Sequence, residues 1–284
     1  MSKDSGHRYE VMEMIETGGF GAVFRAYDRM RNDYVAIRKV RRMDMELEAE
    51  TTMLQSIHSK FIRQYIDCEK HSDQYWVVLE YFRCGSLFQY IGNGNALNQD
   101  ELREIAACCL MGLFFLHNCR IIHGDVKPDN MFISESGVIK LGNVGDPFFR
   151  QQLRSSRRAV YGTVLYMAPE VFDGEMELKS DIWSLGVSLV ELAEGKNPYL
   201  GLSTNQIMKT ILLHSPPSLS PIKWSADFVD FVNRCLVKEV GDRPSAEQLL
   251  DHPFVKNSIS ILQRDGFFIR LQNMARQISM ESRK

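Results

Sequence analysis

The character of the chain changes near Gly85 and Ser86, and this change constrains the fold more than any other feature of the sequence. Before it, short stretches rich in β-branched and aromatic residues alternate with turn residues, which is the pattern of β-strands. The predicted strands, between Tyr9 and Tyr81, are YEVMEMIE, AVFRAYD, YVAIRKV, FIRQYIDCE and QYWVVLEY. After the change, apolar residues recur at helical spacing. A β-rich part followed by a helical part, with no internal repeat, predicts an α+β fold with two lobes.

One helix interrupts the predicted strands. Asp44 is positioned to cap the stretch MELEAETTMLQSI, because a short polar side chain before a periodic apolar segment is typical of a helix start. The residues predicted to face the core are Leu47, Met53, Leu54 and Ile57.

The helical part carries clear start signals. Asn98 or Asp100 begins a long helix, Ser180 begins a segment that is apolar on nearly every face, and Ser245 with Gln248 forms a capping box. The core-facing residues predicted for the long helix are Leu102, Ile105, Ala106, Cys109, Leu113 and Leu116. The segment after Ser180 is predicted to be buried on all sides.

The composition excludes several classes of protein. The 284 residues are 44% apolar and 25% charged, as in globular proteins, and the formal charge of −2 gives no reason to expect a nucleic-acid or membrane partner. The N-terminus lacks an apolar signal core, and no apolar run approaches the ~18 residues of a membrane span. Without C-x-x-C pairs or zinc-like His/Cys spacing, the six cysteines are expected to be free thiols, which favours a cytoplasmic location and leaves a nuclear one open.

Six motifs occur in one order along the chain. They are E-T-G-G-F-G-A-V from Glu16, V-A-I-R ending at Arg38, H-G-D-V-K-P-D-N from His123 to Asn130, A-P-E from Ala168 to Glu170, D-I-W-S-L-G from Asp181, and D-R-P-S from Asp242. A glycine-rich loop alone is a weak signal, but six motifs in order resemble the eukaryotic protein kinases. The segments G-T-V-L-Y-M-A-P-E and D-H-P-F look most like the sterile-twenty-like serine/threonine kinases.

The resemblance implies a domain organisation. It predicts a protein kinase-like domain over residues 9–254, with an N-lobe at 9–81, a hinge at 82–86, a C-lobe at 87–254 and a C-terminal helical extension at 255–284. In that extension, a helix from Gly266 would align Leu271, Met274, Ala275 and Ile278 on one face. That face either packs against its own domain or binds a partner.

The resemblance also implies an adenine slot. The matching residues are Val23, Ala36, Leu79, Glu80, Phe82 and Phe132. Leu79 corresponds to the gatekeeper, and the backbone carbonyl and N–H of Glu80 and Phe82 are expected to meet the purine edge. Phe132 is bulkier than the leucine common at its position and would crowd the slot. ATP binding is therefore expected to be weak.

The groups expected to hold the phosphates are altered. Gly18 and Gly21 fill two glycine positions of the loop, but Glu16 replaces the first, where its carboxylate either repels phosphate or points to solvent. The lysine that the family uses is replaced by Arg38, which keeps the charge on a wider, planar group and is expected to pair with Glu50. The neighbouring Lys39 is not expected to substitute, because adjacent strand residues point to opposite faces.

The catalytic loop is partly intact. The resemblance assigns the catalytic base to Asp125, a serine/threonine-type lysine to Lys127 and a second metal ligand to Asn130. The arginine that precedes the aspartate in many kinases is Gly124, and the matching phospho-acceptor position is Ala159. Both halves of that phospho-switch are therefore absent.

The metal-binding motif is the most altered. Asn143-Val144-Gly145 stands where the family has Asp-Phe-Gly, and a neutral amide oxygen attracts Mg²⁺ far less than a carboxylate. Asp146 is an alternative ligand, but it follows the strand end in a G-D-P turn. We therefore expect Mg²⁺ to bind poorly at Asn130 and Asn143.

The residues that support the fold are retained. Asp181 is expected to be buried and to accept N–H bonds from the catalytic loop, and Glu170 and Arg243 are expected to form a buried ion pair. Two hypotheses follow: a pseudokinase that binds another protein, a catalytically competent kinase being one candidate, and an active serine/threonine kinase with unusual metal use.

Overall fold

The computed structural model describes residues 8–18, 21–41, 45–144, 163–266 and 268–281. They belong to two compact units, the first comprising Met1–Ser59 and Arg63–Tyr81 and the second Lys60–Ile62 and Phe82–Lys284. The predicted cap at Asp44 lies outside the described residues, as do Gly145, Asp146 and Ala159. Within the described part of the chain, no helix is long and apolar enough to cross a membrane.

The first unit is a five-stranded antiparallel sheet with one helix. Its strands are β1 (Tyr9–Gly18), β2 (Gly21–Asp28), β3 (Asp33–Val40), β4 (Tyr65–His71) and β5 (Gln74–Glu80), in the spatial order β1-β2-β3-β5-β4. One core cluster of the sheet contains Tyr9, Ala26, Val35, Ile37, Trp76 and Val78. Helix α1 (Met45–Ser56) follows β3, with Leu54 and Ile57 buried and Met53 half-buried.

The fourth predicted strand begins later than the sequence suggested. The sequence predicts one strand over FIRQYIDCE, but β4 starts at Tyr65. Phe61 and Ile62 belong to the second unit, where the Leu141 N–H donates to the Phe61 carbonyl at 2.8 Å and Ile62 forms a parallel bridge with Leu141. Their backbone groups are engaged in that unit, so they do not extend the strand.

The second unit is helical. Its helices are α2 (Leu87–Gly92), α3 (Gln99–Asn118), α4 (Ser180–Glu194), α5 (Thr204–Leu213), α6 (Ala226–Cys235), α7 (Ala246–Leu250), α8 (Lys256–Asp265) and α9 (Ile269–Glu281). A two-stranded sheet, β6 (Met131–Ile133) and β7 (Ile139–Leu141), carries the residues that flank the catalytic loop. Short 3-10 helices cover Pro128–Asn130, Thr163–Tyr166 and Pro169–Asp173. The predicted α+β class is confirmed.

The predicted helix starts and buried faces of the second unit are confirmed. Asn98 caps α3, and Ser245 with Gln248 forms the capping box of α7. Helix α4 is buried along its length except at Ser184 and Glu194, which makes it the central helix of this unit. The described cysteines are free thiols.

The C-terminal residues form α8 and α9, which pack against their own unit. Helix α9 begins at Ile269 rather than Gly266, because Gly266 has φ +81° and ends α8 in the left-handed conformation. The Phe268 N–H donates to the Gly137 carbonyl at 3.0 Å, and Arg270 pairs with the buried Glu104 at 2.8 Å. On the predicted inner face of α9, Leu271, Met274 and Ala275 are buried and Ile278 is half-buried.

Candidate active site

The catalytic-loop residues of the second unit form one hydrogen-bonded network around Asp125. This carboxylate is 6% exposed; its Oδ2 lies 2.9 Å from Lys127 Nζ and accepts a hydrogen bond from Asn130 Nδ2 at 2.8 Å. Asn130 Nδ2 also donates to the Asp125 backbone carbonyl at 2.7 Å. The structure thus brings together the three residues that the sequence predicted for catalysis.

Asn143 extends this network. Its Nδ2 donates to Asn130 Oδ1 at 2.7 Å. The oxygen and nitrogen of an asparagine side chain are distinguished by their hydrogen-bond partners. Since Asn130 Nδ2 already donates to two oxygens of Asp125, Asn130 Oδ1 must face Asn143, and only an amide N–H can donate to it.

These residues do not fit a magnesium ion. A bound Mg²⁺ needs oxygen ligands, usually including a carboxylate, and would require the side chains of Asn130 and Asn143 to turn their oxygens toward it. The Asn143 amide instead presents an N–H to the Asn130 oxygen. The two facing atoms of the pair therefore satisfy each other without an ion, and the net charge of the pair is zero.

Asp181 of α4 holds the backbone of the catalytic loop. It is 1% exposed, and its carboxylate accepts hydrogen bonds from the His123 N–H at 2.9 Å and the Gly124 N–H at 2.8 Å. His117 Nε2 lies 2.9 Å from the same carboxylate. The predicted role of Asp181 is confirmed. Gly124 has φ +80°, a conformation that glycine adopts without strain and in which a side chain is unfavourable.

A second buried contact supports this unit. Arg243 Nη1 and Nη2 donate to the two carboxylate oxygens of Glu170 at 2.7 and 3.0 Å, and Arg243 is fully buried. Burial alone would raise the pKa of Glu170, but hydrogen bonds from Arg243 and Ser180 outweigh it and lower the pKa below 4.5. The ion pair predicted from the sequence is therefore confirmed.

In the first unit, Arg38 takes the lysine position and keeps the expected ion pair. Its Nη2 donates to Glu50 Oε1 at 2.6 Å, and both side chains are buried. Arg38 Nε is also buried and has no hydrogen-bond partner among the described residues. The guanidinium therefore carries a donor that this environment does not satisfy. Lys39 lies over the rings of Phe24 and Trp76, at 4.2 and 5.0 Å from their centres.

The sheet places the other predicted nucleotide residues of the first unit in register. Val23 lies opposite Arg38, and Ala36 lies opposite Leu79. Gly21 has φ +101°, and a Cβ there would lie 2.6 Å from the Lys39 carbonyl oxygen, so the loop end requires glycine. Glu16 is exposed, which agrees with the alternative that its carboxylate points to solvent.

Phe82 and Phe132 lie in the second unit. Their rings stack with centres 4.9 Å apart and planes 10° from parallel. Phe82 is buried and Phe132 half-buried. Phe132, which the sequence predicted to crowd the adenine slot, therefore packs its ring against the ring of Phe82.

The sequence reasoning missed one residue, Arg63. Its Nε donates to the backbone carbonyl of Glu80 at 2.9 Å, and the Glu80 N–H donates to the Gln64 carbonyl at 2.9 Å. Glu80 is the residue whose carbonyl the resemblance assigned to the purine edge. In the sequence, Arg63 stands two positions before Tyr65. An extended backbone there would point both side chains to the same face of the sheet, and this was the only indication of its position.

Comparison with known proteins identifies the class. A model of the protein kinase domain matches residues 9–255, so the chain belongs to the protein kinase domain family. It is 32% identical over 259 residues to "Serine/threonine-protein kinase pakH" of Dictyostelium discoideum, covering 88% of this chain and 50% of that protein. It is 32% identical over 262 residues to "Serine/threonine-protein kinase 4 homolog B" of the same organism, covering 90% of this chain and 24% of that protein. The chain thus spans half or less of the length of these relatives.

Proposed function

We propose that this chain is a pseudokinase of the sterile-twenty-like serine/threonine group, acting in signalling as a scaffold or allosteric partner for another protein, with a competent kinase as one candidate. The observation that carries the proposal is the hydrogen bond from Asn143 Nδ2 to Asn130 Oδ1 at 2.7 Å. Kinase chemistry depends on positioned phosphates and on cations that neutralise their charge. A neutral amide pair supplies neither a carboxylate for the metal nor a charge for the phosphates.

Other residues support the same function. Arg38 has a buried donor that no described residue accepts, at the position where kinases use a compact ammonium group. Gly124 provides no side chain to read a phosphorylated activation segment. Val144 is buried but smaller than the phenylalanine of the family motif. In contrast, Asp181, Glu170 and Arg243 retain the contacts that maintain the fold.

We further propose that nucleotide binds weakly and largely without Mg²⁺. The expected Kd lies in the high micromolar range or above, which corresponds to about −5 to −6 kcal/mol. Thermal unfolding with millimolar ATP, ADP or adenosine tests this; an absence of stabilisation by all three would reduce the proposal to no nucleotide binding. Free thiols at the described cysteines support a cytoplasmic or nuclear location.

The second candidate function is a serine/threonine kinase that transfers the ATP γ-phosphate with atypical metal use. The network of Asp125, Lys127 and Asn130 favours it, because the carboxylate of the expected base, Asp125, is contacted by the Lys127 ammonium and the Asn130 amide. A radiolabelled-ATP transfer assay with Mg²⁺ and with Mn²⁺ separates the two functions. Transfer that is abolished in Asp125→Asn establishes the kinase; label at the level of Asp125→Asn in both metals supports the pseudokinase.

A further inference from the structure

The backbone N–H and carbonyl of Glu80 each have a hydrogen-bond partner within the first unit. Its carbonyl accepts from Arg63 Nε at 2.9 Å, and its N–H donates to the Gln64 carbonyl at 2.9 Å. The Glu80 side chain also accepts a hydrogen bond from the Gln64 N–H at 3.0 Å. A guanidinium thus lies against the carbonyl that was matched to the purine edge.

A guanidinium N–H and the exocyclic amino group of adenine are chemically equivalent donors toward a carbonyl. The guanidinium is charged, and hydrogen bonds from a charged donor are stronger than those from a neutral one. Arg63 is also part of the chain, so it meets the Glu80 carbonyl without the loss of translational freedom that a free nucleotide incurs. An incoming adenine therefore competes with a strong internal donor.

The surroundings of Arg63 agree with this position. Burial lowers its pKa to about 10; the charges of Glu16 and Glu80 act to raise it, and the charge of Arg38 acts to lower it further. Arg63 therefore remains protonated at neutral pH. Glu16, Glu80 and Arg38 are also residues that the family resemblance places around the nucleotide.

We propose that Arg63 is an internal substitute for the adenine amino group at the Glu80 carbonyl, so that the purine hydrogen bond at this carbonyl depends on displacement of Arg63. The inference rests on the proposed function in one respect, the assignment of the Glu80 carbonyl to the purine edge. It is independent of whether the chain transfers phosphate. It gives the weak nucleotide binding a cause that the metal-site residues do not supply, because this contact concerns the base and not the phosphates.

The test uses adenosine, which is uncharged and so does not respond to the loss of a cation near phosphates. Adenosine is titrated calorimetrically, without metal, into the full chain and its Arg63→Val variant. We expect the affinity to increase at least tenfold in Arg63→Val, which is about 1.4 kcal/mol. The matched control is Arg29→Val, which removes an exposed arginine of the same unit that pairs with Glu10 at 3.1 Å and should leave adenosine binding unchanged. An Arg63→Val variant that binds adenosine no better than the unchanged protein overturns the proposal.

A second ligand separates the hydrogen bond from simple space. Purine riboside lacks the amino group, so its affinity should increase less in Arg63→Val than that of adenosine; equal gains for the two ligands contradict the role of the Glu80 carbonyl. If thermal unfolding shows that Arg63→Val is not folded, Arg63→Met replaces it in the test. This variant keeps most of the aliphatic stem and removes the donor, and the same gain in adenosine affinity is expected. The radiolabelled transfer assay is run in parallel, because activity there would refute the pseudokinase proposal and leave the adenosine comparison intact.

Discussion

Asn143 shows how one side chain changes the chemistry of a site and leaves its backbone in place. The residue has φ +58°, a left-handed conformation that aspartate and asparagine adopt more readily than other residues with a side chain. An aspartate would therefore fit the same backbone. The difference lies in the contact with Asn130, because an amide donates to Asn130 Oδ1 and a carboxylate would oppose it as a second acceptor. The observed amide pair needs no ion between its facing atoms, whereas an aspartate would place two acceptors against each other unless a cation lay between them.

The first prediction concerns the unchanged protein. Because the Asn130–Asn143 pair is neutral and offers no carboxylate, we expect Mg²⁺ to increase ATP affinity less than tenfold, or ~1.4 kcal/mol. Calorimetric titration of ATP with and without Mg²⁺ measures this. A tenfold or greater gain would show that other groups of the chain bind the ion.

The second prediction concerns the variant Asn143→Asp. Without metal, its carboxylate faces Asn130 Oδ1 and the donor is lost, so we expect the free energy of unfolding to fall by about 1–3 kcal/mol. Millimolar Mg²⁺ should recover part of this loss, as measured by urea unfolding. Asn143→Ala is the control, because it loses the donor without gaining charge and should not respond to Mg²⁺. Equal responses of the two variants to Mg²⁺ would contradict the assignment.

At the scale of elements, α4 positions the catalytic loop through Asp181. Replacing this residue in Asp181→Ala leaves the buried N–H groups of His123 and Gly124 without their acceptor. We expect a loss of about 2–6 kcal/mol in the free energy of unfolding, because two buried donors lose their acceptor and each costs about 1–3 kcal/mol. Urea unfolding measures it, and the exposed Asp173→Ala should change stability by no more than about 0.5 kcal/mol. Similar losses in both variants would show that the loop does not depend on α4.

The pairing of the 3-10 helix Pro169–Asp173 with Arg243 predicts a pH dependence. Because the pKa of Glu170 is lowered from 4.5 in the folded protein, the unfolded chain takes up the proton first as the pH falls. The contribution of this carboxylate is therefore present above about pH 4.5 and is lost as the pH falls through the folded-state pKa.

The matching variant is Glu170→Gln, which keeps the shape of the side chain and removes its charge. At pH 7 it should lower the free energy of unfolding by roughly 3 kcal/mol, because Arg243 is then buried without its counter-charge. Below pH 4.5 the difference between the two proteins should narrow, as measured by urea unfolding between pH 3 and 7. Parallel pH profiles would exclude the ion pair as the source.

The elements differ in how well the sequence predicted them. Helix α4 and the capping box at Ser245 were predictable because burial and capping are local patterns. The start of β4 was not, because Phe61 and Ile62 have strand-like side chains but their partner is Leu141, a distant residue. The same misreading concealed Arg63, whose partner Glu80 lies 17 positions away. A resemblance to kinases predicts where the motif residues act and assigns no role to Arg63, which lies outside the matched motifs.

At the scale of the whole molecule, the losses are spread over both compact units. In the first unit, Arg38 has a buried donor with no acceptor in the described part of the chain, and Arg63 lies against the Glu80 carbonyl. In the second, Asn143 closes on Asn130. Each unit nevertheless retains its structural ion pair, Arg38–Glu50 in the first and Glu170–Arg243 in the second. If the proposed function is right, restoring phosphotransfer therefore requires changes in both units.

The last prediction follows from this distribution. The double variant Asn143→Asp with Arg38→Lys restores a carboxylate for the metal and a compact ammonium for the phosphates, each worth roughly 3–4 kcal/mol where such groups stabilise a transition state. We expect it to gain Mg²⁺-dependent ATP binding by calorimetry but little phosphotransfer by radiolabelled ATP. Val144 still underfills its position, Gly124 still lacks the arginine, and Arg63 still lies against the Glu80 carbonyl. Catalytic groups act as a unit, so repairing two of them does not recover the product of their separate effects. Full transfer activity from these two changes would show that the remaining differences are tolerated, and the pseudokinase proposal would lose its main support.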